Sequence, residues 1–586
     1  MQKTYLRMLA AILCCGLALL SCSDDNKNNG NNNGQGDSKP NYADVAVMYY
    51  GIGGGDLDYA TEVDFMLAAY QMSYQVRNVR YFVQYKYSSR EASLAYDASQ
   101  KATNAKYNYA MSGEYGSVYR YELLGNMLDM EYLNKNGDNV NYKENGRKVF
   151  PNLSQYKFAG STFEMYQPDN LVDFIRWTMK QAPEAKAVVL CLGDHGGAYS
   201  VTTDTVRTTR GVMYDDNLVG KPSMTIADLV AALKQLSADE LAKLKLINFD
   251  CCMMSNLETL GELKDLVPYV MGSSHSVPSA DQGKFVYYMG LSQGEETAIA
   301  ENAKKFNAAV LDMHRTQFVN GGKKWDTLRN LDYTVTDMKK LDPLFASIKN
   351  VVDYLVSDEN PASPVEKAEE YSKAASKCYH YVGNTPVYDI MDYLNKLKEY
   401  VFPGNAKFAA LVSDVKTAVK AAQYGHVDYT YSLDPENGTN NLGLSYSVLL
   451  GCNADVFSFG DQVSDIPEEK QNLGAIMVTI KGGNGIEGDE YFNNVIFEDG
   501  HSYIHEWLKG EAVNNAYLSN SALNGGAVVS WAKTYNTTVF DKATGWSKWM
   551  RKNPGLPQYN PPFGEDKDGI YDSQNNWLED VLQELL

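Results

Sequence analysis

Two short apolar runs in this chain stop abruptly on polar side chains. AVVLCLG at 187–193 runs into Asp194, His195 and Gly196, and LKLINF at 244–249 runs into Asp250, Cys251 and Cys252. Apolar runs of this length, closed by turn residues, suit strands buried on both faces of a parallel sheet. Upstream, the pattern predicts a strand over 45–50, a helix over 58–76, a strand over 79–86 and a helix over 168–181. A further helix is expected over 225–243, between the two apolar runs. Strand and helix therefore alternate, the order of an α/β fold whose mostly parallel sheet carries helices on both faces. From 335 to 425 the spacing turns helical, as in MKKLDPLFASIKNVVDYL and VYDIMDYLNKLKEYV. From 440 onward short strands and Gly/Asn turns dominate, and 453–526 offers no counterpart to the rest.

The residues at the two strand ends carry chemistry. Open α/β sheets place their active sites outside the carboxyl ends of the strands, where His195 and Cys252 fall. His195 precedes Cys252 by 57 positions, room for a loop, a crossover helix and a strand, so the two side chains can meet on adjacent parallel strands. A thiol is mostly protonated at neutral pH unless an imidazole or oriented backbone dipoles stabilise the thiolate. A Cys/His peptidase is therefore the first reading. Successive side chains of a strand point to opposite faces, so only one of the paired cysteines can share a cleft with His195. Alternation puts Asp250 on the face of Cys252 and Cys251 on the other.

These residues resemble the clostripain family. PDNLVDFIRWTMKQAPEAKAVVLCLGDHGGAYS is similar to that family's helix, strand and His-Gly loop, and NFDCCMMSNLETL to its Asp-x-Cys-x-Met strand end. VAVMYYGIGGGDLDYATEVDF, YVMGSSHSVPSADQGKFVYY and LGLSYSVLL match other landmarks in order, and WAKTYNTTVFDKATGWSKWM is a weaker echo. The resemblance spans 42–450. It implies a caspase-like fold, a Cys252 nucleophile with His195 as its base, and an oxyanion site from the backbone N–H groups of Gly196 and Cys252. It also implies cleavage after Arg or Lys, with Asp250 in the substrate pocket and Asp281 as a second acid there. Asp194 is expected to shape the loop. Family members mature by cleavage between His and Cys, which makes Arg210 and Arg207 the expected autocleavage sites. One departure bears on substrate preference: Ser274 and His275 stand where an acidic residue is expected.

The amino terminus sets an expected compartment. Lys3 and Arg7 precede an apolar run over 8–20, and Leu19-Leu20-Ser21-Cys22 resembles a lipoprotein cleavage box with Cys22 as the lipidated residue. The run is too short to span a bilayer. Asp24 and Asp25 resemble the surface-export signal of Bacteroidetes lipoproteins, so a surface-exposed outer-membrane lipoprotein is expected. The chain then divides into a signal peptide (1–22), a polar tether (23–41), a peptidase domain (42–335), a helical and strand part (336–452) and an accessory region (453–586).

Composition narrows the remaining choices. A net charge of −20 argues against nucleic acid and suits basic polypeptide substrates. Past Cys22 only Cys191, Cys251, Cys252, Cys378 and Cys452 remain, an odd set without the spacing of a disulfide framework or zinc cluster. No metal ligands or required cofactor are expected, although calcium stays open because some clostripain relatives depend on it. GIGGGD at 51–56 lacks the last glycine of a dinucleotide fingerprint. His501 and His505 lie four apart but lack the Glu of a zinc peptidase, and the acidic stretch 565–569 is too short for a full calcium loop. The alternative function is a catalytically silent surface lipoprotein that binds proteins or glycans, which the 43 tyrosines would suit.

Overall fold

The computed structural model describes residues 43–55, 57–94, 111–128, 148–196, 212–215, 217–218, 222–274, 282–320, 333–363, 366–367, 370–371, 373–374, 387–423, 426–434, 440–449, 477–479, 538–546 and 548–549. Cys22, Arg207, Arg210, His275, Asp281, Cys378, Cys452, His501, His505 and the stretch 565–569 lie outside them. Eight strands form one sheet: β1 (Val45–Ile52), β2 (Val79–Lys86), β3 (Val118–Leu123), β4 (Lys157–Ala159), β5 (Ala187–Gly193), β6 (Leu244–Asp250), β7 (Tyr269–Gly272) and β8 (Thr334–Asp337). Their spatial order is β4-β3-β2-β1-β5-β6-β7-β8. Strands β2, β1, β5, β6 and β7 run parallel, while β3, β4 and β8 extend the edges through antiparallel pairings. The chain leaves β1 toward β2 and later returns to β5 on the other side of β1. That reversal opens a crevice at the carboxyl ends of the strands, where ligands bind in such sheets.

Alternate residues of the central strands feed two cores, as the period of a strand requires. Met48, Tyr50, Leu190, Leu192 and Phe249 pack toward α2 (Pro168–Gln181), α3 (Ile226–Lys234), α5 (Leu257–Leu263) and α8 (Leu341–Val356). Val47, Tyr49, Val189, Cys191 and Leu246 pack toward α1 (Asp58–Tyr74), α6 (Phe285–Leu291) and α7 (Glu296–Asn320). Both faces are thus covered, which explains why β5 reads as an unbroken apolar run. The architecture is the α/β, mostly parallel sheet that the strand-helix alternation predicts, in keeping with the caspase-like fold that the resemblance implies.

The local differences have physical causes. The span 225–243 forms two helices, α3 and α4 (Ala238–Lys243), because Ser237 starts the second one. Its side chain caps the Glu240 N–H while the Glu240 carboxylate accepts from the Ser237 N–H, a complete capping box. The expected helix at VYDIMDYLNKLKEYV begins as strand β9 (Val387–Asp389), because these residues pair antiparallel with Met477–Thr479. The register of β6 against β5 slips between Leu244 and Leu246, so that Lys245 is a bulge. Leu244 and Leu246 consequently face opposite cores, which strict alternation would forbid. Farther along, α9 (Ile390–Lys396), α10 (Ala406–Ala422) and α11 (Val539–Thr544) complete the first core. Phe540, Trp546 and Trp549 are fully buried there, with the Trp549 indole N–H donating to the Tyr393 hydroxyl at 2.9 Å.

Candidate active site

Strands β5 and β6 end in register, Gly193 opposite Asp250. His195 and Cys252 each lie two residues beyond that pair, so the ladder itself brings them to the same end of the sheet. Asp194 N–H extends the ladder by donating to the Asp250 carbonyl at 3.3 Å. The Asp194 carboxylate then folds back on the main chain. Its Oδ1 accepts from the His195 N–H at 2.6 Å and its Oδ2 accepts from the Tyr214 N–H. Burial pushes the Asp194 carboxyl well above the usual carboxylate range, an effect that the His195 charge and the two backbone donors oppose. Asp194 thereby ties the His195 loop to the segment around Tyr214, and His195 itself stays exposed.

The second strand end separates its two thiols. Cys251 is buried and directs its Sγ to the Leu192 carbonyl at 3.0 Å, and burial raises its pKa. Cys252 is half-buried and lies on the turn past the end of β6, so the turn, not the pleat, sets its direction. Met253 follows with φ at 59°, a left-handed conformation uncommon for a side chain of this kind. Asn256 then caps α5 by accepting from the Thr259 N–H at 2.8 Å. The turn that carries Cys252 is held between a strand end and a capped helix.

Glycines let the loops close on one another. A Cβ at Gly196 would overlap the Cys252 carbonyl oxygen and lie 2.7 Å from the Cys252 amide nitrogen. Backbone from the first loop therefore rests directly on backbone of the second. Gly54, in the loop after β1, has φ at 55°, and a Cβ there would lie 2.7 Å from the His195 Cδ2. That loop is fixed from beneath: Gly55 N–H donates to the Ser88 hydroxyl at 2.9 Å, and the buried Asp58 carboxylate accepts from the Ser88 N–H and the Tyr85 hydroxyl. The glycine run dismissed as a nucleotide fingerprint is a wall of the site.

The model of the clostripain family matches residues 132–552, more than half of the chain. The chain belongs to the clostripain family. It is accordingly a cysteine peptidase, a hydrolase of polypeptides. The match runs through 453–526, which the sequence left without a counterpart. A secreted C11 cysteine protease from Bacteroides thetaiotaomicron, called iotapain, is 16% identical, with 66% of this chain and 86% of that chain covered and a TM-score of 0.40. A secreted C11 protease from the same organism, bound to an irreversible peptide inhibitor, is 14% identical, with 77% and 96% covered and a TM-score of 0.42. An inactive zymogen C11 protease from Parabacteroides distasonis is 15% identical, with 70% and 90% covered and a TM-score of 0.39. The sequence matches no protein with a curated description.

In this clostripain-family chain the remaining site residues fall as follows. Asp250 closes β6, half-buried, on the side of the sheet that carries Tyr49. The Tyr49 hydroxyl donates to the Asp250 Oδ2 at 2.9 Å. It reaches there by passing over β5, where a Cβ on Gly193 would overlap the Tyr49 hydroxyl. Nothing in the sequence pointed to Tyr49, which reads as one more apolar strand residue. Ser274 is buried and donates to the Ser255 carbonyl at 3.3 Å. Gln282 accepts from the Asn248 side-chain amide and donates to the Tyr333 hydroxyl, both at 2.8 Å. Among the described residues no three His, Cys, Asp or Glu side chains are grouped to hold a metal ion, and no helix is long and apolar enough to cross a membrane.

Proposed function

We propose that this chain is an endopeptidase that cleaves after Arg or Lys through Cys252 and His195. The observation that carries the reading is the seating of Gly196 on the Cys252 backbone, which gathers a base, a thiol and two backbone N–H groups at one strand-end crevice. The Cys252 thiolate attacks the scissile carbonyl carbon, and His195, carrying the thiol's proton, hands it to the amine as the C–N bond breaks. Water then adds to the thioester with His195 as base, which releases the acid and restores the thiol. The Gly196 and Cys252 N–H groups face the oxyanion, a role that needs fixed donors and no side chain. Asp250 pairs with the basic side chain preceding the scissile bond, and Asp281 adds a second carboxylate.

The same reading includes self-activation at Arg207 or Arg210, anchoring through a lipid on Cys22, and placement on the outer-membrane surface. Purified chain incubated with Arg- and Lys-terminated fluorogenic peptides, with and without calcium, tests the activity. Thiol-dependent release that Cys252→Ala abolishes is the expected result. Absence of such release in both conditions defeats the proposal and leaves the binding lipoprotein. On a denaturing gel, two fragments from the wild type and one from Cys252→Ala support self-processing; one intact chain from both refutes it.

A further inference from the structure

The Tyr49 to Asp250 hydrogen bond spans 201 residues of sequence and crosses an intervening strand. Its construction is specific. Gly51 and Gly193, paired across β1 and β5, both lack the Cβ that would strike the Tyr49 ring. The ring is further held edge-on by Phe65, with centroids 4.9 Å apart. Tyr49 is almost wholly buried, and burial together with the Asp250 charge pushes its hydroxyl far from ionising, so it stays a donor. The carboxylate proposed to receive a basic side chain is therefore oriented by a buried neutral donor on one oxygen.

That arrangement distinguishes the two basic side chains. A guanidinium binds a carboxylate best side-on, with parallel N–H bonds to both oxygens in one plane. An ammonium is a point charge with three rotatable donors and is satisfied by one oxygen from a range of directions. Tyr49 occupies part of the acceptor capacity of Oδ2 and fixes the carboxylate plane, which penalises the fork and leaves the ammonium little affected. Resting on the basic-residue reading above, we infer that Tyr49 is a specificity-positioning residue that biases the Asp250 pocket toward lysine over arginine.

The test compares matched fluorogenic peptides ending in Lys or Arg, on wild type and Tyr49→Phe, with kcat and KM resolved separately. The wild type is expected to favour Lys through KM, and Tyr49→Phe to shift the Lys-to-Arg ratio of kcat/KM toward Arg about fivefold, the usual value of one hydrogen bond. The ratio within one preparation does not depend on the active fraction, so partial misfolding leaves the readout intact. In the Asp250→Asn background, Tyr49→Phe is expected to leave the ratio unmoved. A wild type that favours Arg, a ratio unchanged by Tyr49→Phe, or an equal loss on both substrates overturns this inference alone. Cys252-dependent cleavage of neither peptide overturns the basic-residue reading with it.

Discussion

Gly54 supports the His195 imidazole: their closest approach leaves no room for a methyl group, since a Cβ at 54 would lie 2.7 Å from Cδ2 and 3.2 Å from Nε2. Gly54→Ala therefore meets two obstacles. Its φ of 55° is a conformation that costs an L-residue about 1–2 kcal/mol, and its new methyl pushes the ring away. Displacing a reacting group by about 1 Å can cost a hundredfold in rate. We expect kcat to fall by that order while folding survives, checked by peptide hydrolysis alongside thermal unfolding. Unchanged kcat would mean that His195 does not use this wall.

Gly196→Ala is a separate case, because the obstruction there is backbone. The added methyl would overlap the Cys252 carbonyl, and neither side can yield without parting the two loops. Loss of one oxyanion donor costs on the order of 10²–10³ in kcat. The expected result is a loss of that size in kcat with KM nearly constant; a rise in KM alone would remove Gly196 from the reaction.

Glu62 gives the fold a pH dependence. It is buried, accepts from the Tyr87 hydroxyl and the Ser112 N–H, both at 2.7 Å, and burial nonetheless raises its pKa to about 7 from 4.5. The folded state thus binds this proton more tightly than the unfolded chain. Between those two values stability falls as pH rises, and the penalty is complete above pH 7. Glu62→Gln should gain on the wild type across that window, by roughly 3 kcal/mol at most. Urea unfolding at several pH values checks this, and parallel curves for the two proteins would contradict it.

The Lys86 to Asp215 ion pair is fully buried at 2.6 Å, and the ammonium also donates to the Ser161 and Phe163 carbonyls. Removing one charge strands the other in the interior. Lys86→Met should therefore cost about 3–5 kcal/mol of stability. Adding Asp215→Leu should recover part of that loss, because the stranded carboxylate is gone. Two melting curves decide it: equal or greater instability in the double variant would show that the carbonyl contacts, not the charge, dominate.

The parts legible in the sequence were those governed by short-range pattern. Strands β5 and β6 stand out because burial on both faces leaves an apolar run, and the residues stopping each run are those to which the chemistry is assigned in the proposed function. The contacts that complete the crevice were not legible, since each joins distant positions through the absence of a side chain. Gly193 means nothing until the Tyr49 ring is seen above it, and Gly54 reads as a loop glycine until His195 lies against it. Strand alternation puts Cys252 on the face of Asp250, yet β6 ends at Asp250 and the turn through Met253 directs the thiol. Lys86 and Asp215 are 129 residues apart, and no local pattern marks them as partners.

The extra residue at Lys245 sets the phase of everything after it. With it, Phe249 enters one core and Asp250 emerges on the opposite side beside Tyr49. Pairing it as an ordinary strand residue, without the bulge, would slip the remainder of β6 by one residue, exchanging the faces of Phe249 and Asp250 and burying a carboxylate where a phenyl ring now packs. The placement of the crevice residues is therefore decided at the far end of the strand, six positions before Cys251, by a lysine that touches no part of the chemistry.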